Sequence, residues 1–558
     1  MTGCCRAPVR TARLILTALA IAATFALTSS SALAQGTPPS GYAGPNGAPQ
    51  GCPAGVAAGG FAPNQYLTAY GYSPLQQAGT LGQGERVALV EIDGFNLSDV
   101  KTFAKCFGLH VPEIHAYGVG IPRLLPPGGE ATLDLELLIA SAPYLSQIDV
   151  YETSPDATHV LEALAAPLTK TGFKPDVISA SLGLCESDTV GAVGKPAIMA
   201  VEADLRAAAY EGISVLAASG DTGSAGCLGA SGDTTTPLPQ LGVIYPASSP
   251  WVTAVGGVNF DLSAQNQIVD QVVWNDADDD PGEAGGGGFS MLFSRPGYQD
   301  GLFSIDERAV PDVALLADIS PGYDAYCTAQ DDCNDRGWMT FGGTSAATPL
   351  LAGGFALVDQ MLRHDELLGL GLANPLIYRF AQQPPGGTPV FYDVTAGSND
   401  VGPYIQGDQQ PLGCCTAAAG FDEASGWGGI NLDQFALDTV AAQPPLATVR
   451  VKLPSHQRPD VADGVAANVS CSRGCDIGLR ADVTIGRREP FAANSSLVHL
   501  GAKGSRTLTA GFSGAQLREV EAALKAHQRV TAEVTASVVD PAGQAERQSA
   551  TVRLHITA

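Results

Sequence analysis

A serine flanked by small residues is the first candidate for chemistry in this sequence. Residues 342–349, GGTSAATP, place Ser345 just before a run of Ala, Leu and Gly that predicts a helix. Small neighbours leave room for a substrate, and the amino-terminal end of a helix favours developing negative charge. The same pattern is typical of a serine that only caps a helix, so Ser345 needs a base to act as a nucleophile.

Carboxylates offer a base where histidines do not. None of the eight histidines lies in the His-Gly-Thr setting that a subtilisin uses, and His159 falls in the middle of a predicted helix. Residues 126–138, PPGGEATLDLELL, instead place Glu130 and Asp134 on one face of a helix that begins after Gly-Gly. Two carboxyl groups this close share a proton, which raises the pKa of one of them. The alternative is an acidic first turn that only complements the helix dipole.

These acids predict chemistry at low pH. Glu130 could accept the hydroxyl proton of Ser345 while Asp134 orients it, and a carboxylate is a competent base mainly in acid. A third acid, Asp221, follows an apolar run in the turn ASGDTGSAGC, residues 218–227. A protonated Asp221 could donate a hydrogen bond to an oxyanion. Otherwise it would cap the turn.

The elements that position these residues follow from the pattern between residues 61 and 440, where short apolar runs alternate with helical segments. This alternation predicts an α/β fold with a mostly parallel sheet covered by helices on both faces. Functional residues in such sheets gather at the carboxyl ends of strands. The strand-like runs are 87–92, 176–183, 213–220 and 251–257, and the helical stretches lie near 131–142, 158–168 and 195–211.

A second region follows the linker AAQPP, residues 441–445. Apolar and polar residues alternate over 448–453, 479–485, 529–539 and 550–556, and one amphipathic helix is predicted near 515–527. This pattern predicts a β-sandwich-like domain over residues 446–558 with no cluster of residues that suggests chemistry. No pattern in the sequence of this domain identifies a binding partner.

The composition excludes a disordered or coiled-coil protein, and the net charge limits the kinds of partner that are expected. Of 558 residues, 45% are hydrophobic and 15% are charged, which is ample for a large core. The 30 Lys and Arg residues against 56 Asp and Glu give a net charge of −26 at pH 7. Because such a surface repels phosphate backbones and anionic lipid, we expect neither nucleic acid nor a membrane as a partner.

The first 34 residues predict a secretory signal. Arginines at 6, 10 and 13 precede an apolar stretch over 14–27, which is too short to span a bilayer, and Ala-Leu-Ala at 32–34 fits a cleavage site. The mature protein is therefore expected outside the cell. Residues 35–60 are rich in Gly and Pro and predict an extended, poorly ordered lead-in.

Cysteine usage fits an oxidising compartment. Of twelve cysteines, Cys4 and Cys5 leave with the signal, so ten remain. A zinc site is the alternative, but no CxxC pair or histidine cluster accompanies them. The spacing favours Cys327–Cys333 and Cys471–Cys475, permits Cys185–Cys227, and predicts that Cys414 and Cys415 pair outward and not with each other.

Together these motifs resemble the sedolisin, or serine-carboxyl, peptidase family over roughly residues 61 to 440. The order of ExxxD, SGDxG and GGTSAxxP is the family's, and further similar strings stand between them: YPASSPWVTAVGG at 245–257, GGGGFS at 285–290, SRPGYQ at 294–299 and VPDVALLAD at 310–318. The resemblance implies a subtilisin-like fold. It also implies Ser345 as the nucleophile, Glu130 as general base and acid, Asp134 as its partner and Asp221 as the oxyanion-stabilising acid.

The resemblance further implies one structural Ca²⁺. DVTAGSN at 393–399 and AAAGFD at 417–422 resemble the two ligand loops. By this likeness Asp393 and Asp422 would give side-chain oxygens, and Val394, Ala418 and Gly420 would give carbonyls, a set that suits calcium better than zinc. The acidic run DADDD at 276–280 lacks the Gly and the bidentate Glu of a calcium loop, so we interpret it as solvated.

Three features depart from the family pattern. Only about 26 residues separate the signal from the peptidase region, where a long propeptide is usual. Glu91 matches the acid that extends the proton network in some members, but Leu182 stands where they carry Trp. The C-terminal β domain is an addition.

The sequence therefore predicts a secreted, acid-acting serine-carboxyl endopeptidase. Protein or peptide substrates would pair as an added strand beside Ser179–Gly183 and Gly285–Gly288, and the chain is expected to be monomeric. The alternative is a secreted, catalytically silent binding or adhesion protein that keeps the peptidase scaffold.

Overall fold

The computed structural model describes most of the chain beyond residue 47. The predicted signal, part of the lead-in and the 443–448 linker segment lie outside the described residues. The described residues are 48–169, 174–228, 240–277, 283–330, 333, 336–365, 367–404, 410–442, 449–454, 463–471, 475–488, 490–495, 498–500, 504–539 and 545–553.

Helices and strands alternate along the first part of the chain, and strands dominate its last hundred residues. The helices are α1 (Pro63–Ala69), α2 (Tyr72–Gln77), α3 (Leu97–Phe107), α4 (Glu130–Ser141), α5 (Ala157–Thr169), α6 (Glu186–Val193), α7 (Lys195–Tyr210), α8 (Thr344–His364), α9 (Asn374–Gln382), α10 (Leu432–Ala442) and α11 (Gly514–Lys525). The strands are β1 (Arg86–Glu91), β2 (Glu113–Gly118), β3 (Gln147–Glu152), β4 (Val177–Ala180), β5 (Leu184–Cys185), β6 (Ser214–Ala218), β7 (Ile244–Tyr245), β8 (Thr253–Leu262), β9 (Ile268–Val273), β10 (Gly288–Ser294), β11 (Glu307–Val310), β12 (Val313–Leu316), β13 (Tyr323–Cys327), β14 (Gly337–Phe341), β15 (Phe391–Tyr392), β16 (Gly429–Ile430), β17 (Val449–Lys452), β18 (Gly464–Cys471), β19 (Cys475–Ile485), β20 (Phe491–Asn494), β21 (Val498–Leu500), β22 (Ser505–Gly511), β23 (Val530–Val539) and β24 (Ala545–Arg553).

A parallel sheet forms the centre of the first region. Its strand order is β12-β8-β6-β4-β1-β3-β2, every one of these neighbours is parallel, and β9 adds an antiparallel edge beside β8. The strands carry nearly continuous apolar residues because both faces of the sheet are covered. The predicted α/β class is therefore confirmed.

Two hydrophobic cores flank this sheet. The core on one face includes the buried helices α4 and α8 with α3, α9 and α10, and the core on the other includes α5 and α7. Every residue of α4 after Glu130 is buried, so this helix is apolar around most of its circumference. The few polar side chains that are buried on α4 and α8 are therefore held in place by the packing around them and do not contact solvent.

The C-terminal region is antiparallel throughout, as expected. Its strand order is β17-β18-β22-β20-β19-β23-β24, with β21 paired to β19, so all of these strands belong to one sheet. Helix α11 begins at a capping box in which Ser513 and Gln516 bond each other's backbone N–H groups. It adds Val520 and Ala523 to a separate hydrophobic core.

Disulfides tie the peptidase-like region together. The expected bonds Cys185–Cys227 and Cys327–Cys333 are present. Cys52 bonds Cys106 in α3, a pairing that the sequence spacing does not single out. The described part of the lead-in, residues 48–60, is consequently a series of turns fixed to the domain and not a poorly ordered segment.

One cysteine prediction is wrong. Cys414 and Cys415 bond each other, where outward pairing was expected. Both lie in the loop that returns toward Asn399, whose backbone N–H donates to the Cys415 carbonyl at 3.0 Å. The other cysteines whose side chains are described are already paired with one another. The side chains of Cys471 and Cys475 lie outside the described part of the chain, and their pairing stays a prediction.

Candidate active site

Ser345 lies at the amino-terminal end of α8, as its motif predicts. The preceding Gly343 has a φ of +89°, and a Cβ there would lie 2.8 Å from Asp221 Oδ2, so only glycine fits this junction. Pro349, in the second turn of α8, has no N–H to donate to the carbonyl of Ser345 four residues earlier. That carbonyl instead accepts a hydrogen bond from the hydroxyl of Ser181 at 3.0 Å.

Glu130 is the first residue of α4, and its position depends on a side chain from another element. The carboxylate of Asp93, just after β1, accepts hydrogen bonds from the backbone N–H groups of Glu130 at 3.1 Å and Ala131 at 2.9 Å. A Cβ on Gly128 would lie 1.7 Å from Asp93 Oδ2. Gly128, the first of the two glycines before the helix, is therefore required for this cap.

The structure brings together the serine and both acids of the predicted pair. The Ser345 side chain lies close enough to the Glu130 carboxyl to affect its pKa, and both residues are partly exposed. Asp134, one turn further along α4, is fully buried and accepts a hydrogen bond from the Ser181 hydroxyl at 2.7 Å. The Ser345 hydroxyl also lies 3.3 Å from the carbonyl oxygen of Ser181. Ser181 thus links the acid helix to the nucleophile helix.

Glu91, at the end of β1, extends this acid cluster. It is buried, and its carboxyl lies beside that of Asp134, so that each affects the pKa of the other. Glu91 Oε1 and Oε2, Glu130 Oε1 and Asp134 Oδ1 meet no N–H or hydroxyl donor among the described residues. Carboxylate oxygens accept only, so two buried acids in contact must hold a proton between them.

The electrostatics of the cluster agree with shared protons. Burial, followed by repulsion from Asp134, raises the pKa of Glu130 well above its usual value, although the neighbouring Ser345 side chain opposes this. Burial raises the pKa of Asp134 to about 7, opposed by its hydrogen bond with Ser181 and by the neighbouring Glu91 carboxyl. Burial, then repulsion from Asp134 and Glu130, raises the pKa of Glu91 as well. At acid pH the group therefore holds protons that can be exchanged within it.

Asp221 contacts the two residues that precede the serine, Gly343 and Thr344. Its Oδ1 accepts hydrogen bonds from the Thr344 backbone N–H at 2.8 Å and from the Thr344 hydroxyl at 2.7 Å. Burial raises the pKa of Asp221, and these two hydrogen bonds oppose the rise. With Oδ1 occupied as an acceptor, a proton on Asp221 belongs on Oδ2, the oxygen near Gly343.

Two predicted substrate-binding segments border this group. The end of β4 contributes Ser181, already in contact with Ser345, and the run 285–288 lies against the strand that leads to Asp221. Gly286 donates its N–H to the carbonyl of Gly220 at 2.7 Å, and Ala284 donates to that of Asp221 at 3.0 Å. The strand end and the glycine run therefore both adjoin the residues around the serine.

Sequence reasoning missed Asp93, Ser181 and Thr344. Asp93 lies two residues after Glu91 in VEIDG, whereas Ser181 and Thr344 lie inside the noted segments SASLG and GGTS but were given no role there. Polar residues at the carboxyl ends of β1 and β4 were the available signal for the first two. The histidines whose side chains are described make no hydrogen bond or ring contact with this group; they are His110, His115, His159, His364 and His527.

The two loops that resemble calcium ligands lie next to each other. Asp393 Oδ2 accepts the N–H of Gly420 at 3.0 Å, and the buried Asp422 accepts that of Ala418 at 2.9 Å. The backbone carbonyls of Val394, Ala418 and Gly420 accept no backbone hydrogen bond within the described residues. Two carboxylates with unengaged carbonyls form an all-oxygen set, which fits a hard cation.

Buried carboxyl groups outside the site share its raised affinity for protons. Burial raises the pKa of Glu85 and of Glu202 to about 7 and that of Asp324 to about 6. In the unfolded chain these groups titrate near pH ~4. The folded state therefore binds more protons between about pH 4 and pH 7, so this stabilisation is complete below pH ~4 and is lost as pH rises through 6 to 7.

We expect Glu202→Gln to flatten this dependence, because the amide cannot ionise and Glu202 lies outside the acid cluster. In a Ser345→Ala background, which prevents self-digestion, the variant should match the parent at pH 4 and melt about 3 to 6 °C higher at pH 8. Thermal melts at pH 4, 6 and 8 provide the measurement, with exposed Glu162→Gln as the control. Parallel curves for Glu202→Gln and its parent would contradict the assignment of the pH dependence to burial.

The comparisons with known proteins agree with this geometry. The model of the subtilase family of peptidases matches residues 148–368. Kumamolisin from Bacillus sp. (strain MN-32) is 31% identical over 404 residues, covering 67% of this chain and 65% of that protein. Tripeptidyl-peptidase 1 from Homo sapiens is 30% identical over 386 residues, covering 63% of this chain and 60% of that protein. The chain thus spans less than two thirds of the length of these relatives.

A solved structure has the same fold. It is Pseudomonas sedolisin, a serine-carboxyl proteinase complexed with two molecules of pseudo-iodotyrostatin, with a TM-score of 0.56 at 23% identity. The likeness covers 69% of this chain and 99% of that chain.

The parallel sheet with a serine at the start of its central helix defines a protein with a subtilisin-like fold. Within that class, carboxyl groups surround the serine where a subtilisin would use histidine. The chain belongs to the sedolisin family. Among its described helices, none is both long and apolar enough to cross a bilayer.

Proposed function

We propose that this protein is a secreted, acid-acting serine-carboxyl endopeptidase. The observation that carries the proposal is the grouping of carboxyl groups around Ser345: its side chain adjoins Glu130, Ser181 links it to the buried Asp134, and Asp221 bonds the adjacent Thr344. Membership of the sedolisin family supports the same activity. The signal-like segment at residues 1–34 and the disulfides support export, which would leave a mature chain that starts at Gln35.

The reaction follows from the positions of these groups. Ser345 Oγ attacks the carbonyl carbon of the scissile peptide, and its proton passes to Glu130. The carbonyl oxygen becomes an oxyanion, which accepts a hydrogen bond from protonated Asp221. Glu130 then gives its proton to the leaving amine, the C–N bond breaks and an acyl-enzyme remains. Water, deprotonated by Glu130, releases the acid product and restores Ser345.

This scheme requires activity in acid. Glu130 must be free to accept a proton, while Asp221 must keep its own. Activity should rise as the Glu130 cluster loses its first proton and fall once Asp221 ionises, so a maximum in acid requires Asp221 to keep its proton to a higher pH than that first loss. The profile should therefore be bell-shaped with an acid maximum.

The test combines a substrate profile with covalent labelling. Denatured protein incubated with the enzyme between pH 2 and pH 8 should be cut at internal bonds, with a maximum below neutrality. A peptide aldehyde should modify Ser345 in acid, as read by mass spectrometry of the labelled peptide. A maximum above pH 7 would contradict the carboxyl mechanism. Absence of both cleavage and labelling would favour the silent binding protein.

A calcium ion held by the 393–422 loops is a second part of the proposal. Asp393 and Asp422 would supply carboxylate oxygens, and Val394, Ala418 and Gly420 would supply carbonyls. Bound there, the ion would neutralise two acids and hold the loops together. Asp422 directly precedes Glu423, whose carbonyl would lie 1.9 Å from a Cβ on Gly287 in the substrate-binding run. The ion would thus support one wall of the cleft.

We expect chelation to lower thermal stability without changing the fold. At roughly 100 times the dissociation constant a bound ion adds about 2.7 kcal/mol, so EGTA should lower the melting temperature by several degrees. Exposed Asp393→Asn should remove the response to EGTA, whereas exposed Asp270→Asn should keep it. A melting temperature that ignores EGTA, together with no calcium in elemental analysis, would contradict the site.

A further inference from the structure

The charge of this chain is divided unequally between its two regions. Residues 446–558 carry 14 Lys and Arg against 10 Asp and Glu, a net charge of +4. The preceding 445 residues carry 16 Lys and Arg against 46 Asp and Glu, a net charge of −30. The overall net charge of −26 is therefore the sum of a basic C-terminal domain and a strongly acidic preceding region.

Of the eight exposed basic side chains in the described part of the C-terminal domain, three, Arg450, Lys452 and Arg506, lie on β17 and β22, and the other five gather at one end. We call this surface the basic end; it consists of the turn after β19, the last two turns of α11 and the segment that follows α11. The turn lies against that segment, because Gly486 donates its N–H to the Arg529 carbonyl at 2.9 Å. The exposed cations of the basic end are Arg487, Arg488, Arg518, Lys525 and Arg529.

Two acidic side chains on α11 neutralise only part of this charge. Glu519 pairs with Arg488 at 2.8 Å, and Glu521 lies 3.7 Å from Lys525. Both pairs are on the surface, where an ion pair contributes little and can be exchanged for another anion. Three of the five cations have no such partner among the described residues, so the basic end attracts anions despite the acidity of the whole chain.

The side chains of the basic end and of the domain around it limit the chemical class of partner that could bind there. Residues 446–558 contain no Trp or Tyr, and both phenylalanines pack against the domain core. No large apolar side chain of the described part of this domain is exposed. The surface therefore lacks aromatic platforms for stacked bases and lacks the apolar anchors that fix protein interfaces. A polymer with repeated anionic groups and few apolar ones fits it.

We propose that the basic end binds an acidic polysaccharide and so holds the acidic peptidase region at a polyanionic matrix. Binding through repeated charge contacts is weakened by salt, because counterions released from the polymer drive it. The proposal does not depend on the peptidase chemistry, since no residue of the basic end belongs to the site around Ser345.

The experiment uses the full-length mature chain on columns of polygalacturonate, dextran sulfate, neutral dextran and double-stranded DNA, eluted with sodium chloride. The test variant replaces Arg487, Arg488 and Arg529 with Ala. The matched control replaces the exposed Lys101, Lys105 and Arg123 of the peptidase region with Ala, which removes the same charge. Circular dichroism and hydrolysis of an uncharged peptide show that each variant is folded and active.

We expect the wild type and the control to be retained on both acidic polysaccharides and released by salt, and to pass through neutral dextran. At about 1 kcal/mol for each cation, the triple variant should lose roughly 100-fold in affinity at low salt while keeping its peptidase activity. Equal retention of the triple variant and the wild type would overturn the proposal. So would failure of the wild type to bind either polysaccharide, or tighter binding to DNA than to both.

Discussion

Ser345→Ala lowers kcat by about 10⁴-fold or more at the acid maximum, because no other group at this position can form the acyl-enzyme. Glu130→Gln should cost a similar factor, since the amide keeps the size of the side chain at the start of α4 but cannot take the hydroxyl proton. The two residues act in one step, so the double variant should be no slower than either single variant by more than a few-fold. Single-turnover hydrolysis of a peptide near pH 4 is the measurement.

Two matched controls separate catalysis from folding. Glu136→Gln changes another buried acid of α4, and the amide oxygen can still accept the Tyr326 N–H that the carboxylate accepts at 2.9 Å. Ser98→Ala removes an exposed hydroxyl on α3. Both should stay within a few-fold of the wild type. Activity of Ser345→Ala above a hundredth of the wild-type level would refute the serine as nucleophile.

The effect of replacing Asp221 on kcat should depend on whether the new side chain can donate a hydrogen bond. Asp221→Ala removes the donor and should lower kcat by about 10² to 10³. Asp221→Asn keeps one: its Oδ1 can accept from Thr344 as the carboxyl does at 2.8 Å, which turns Nδ2 toward the position of Oδ2. We expect Asp221→Asn to lie within about 10-fold of the wild type.

The pH profile of Asp221→Asn is the sharper measurement. In the wild type the protonated acid is the donor, and burial raises its pKa, so the donor is present in acid and is lost as pH rises through that pKa. The amide does not titrate, so the alkaline limb of kcat should move to higher pH in Asp221→Asn. If Asn and Ala variants were equally slow at every pH, Asp221 would have a structural role only.

The sequence predicted best what depends on local periodicity. The i, i+4 spacing placed Glu130 and Asp134 on one helix, and that helix, α4, begins at Glu130 as expected. The alternation of strands and helices predicted a parallel sheet, which the strand order confirms. The resemblance to the sedolisins then predicted that Ser345 and Asp221 converge on this helix.

Contacts between distant segments could not be predicted in the same way. Ser181 meets Asp134 across 47 residues of sequence, and Asp93 caps a helix 37 residues further on. Such contacts depend on how the sheet orders its strands, which a local pattern does not encode. The expectation that Cys414 and Cys415 pair outward was wrong, because adjacency in sequence does not show which cysteines the fold brings within reach of this loop.

The division of charge was missed for a different reason. A total of −26 averages two regions of opposite sign, and the total was used to exclude anionic partners. Surface charge acts over about 10 Å at moderate salt, so the composition of each domain is the relevant quantity.

The buried acids away from the catalytic group have a consequence for how long the enzyme would work. When an acidic fluid is neutralised, ionisation of Asp221 stops turnover, and this is reversed by returning to acid. Ionisation of Glu85, Glu202 and Asp324 also weakens the scaffold itself, and opened molecules become digestible. Prolonged exposure to near-neutral pH would therefore inactivate the enzyme irreversibly, whereas after a brief exposure its activity would return in acid.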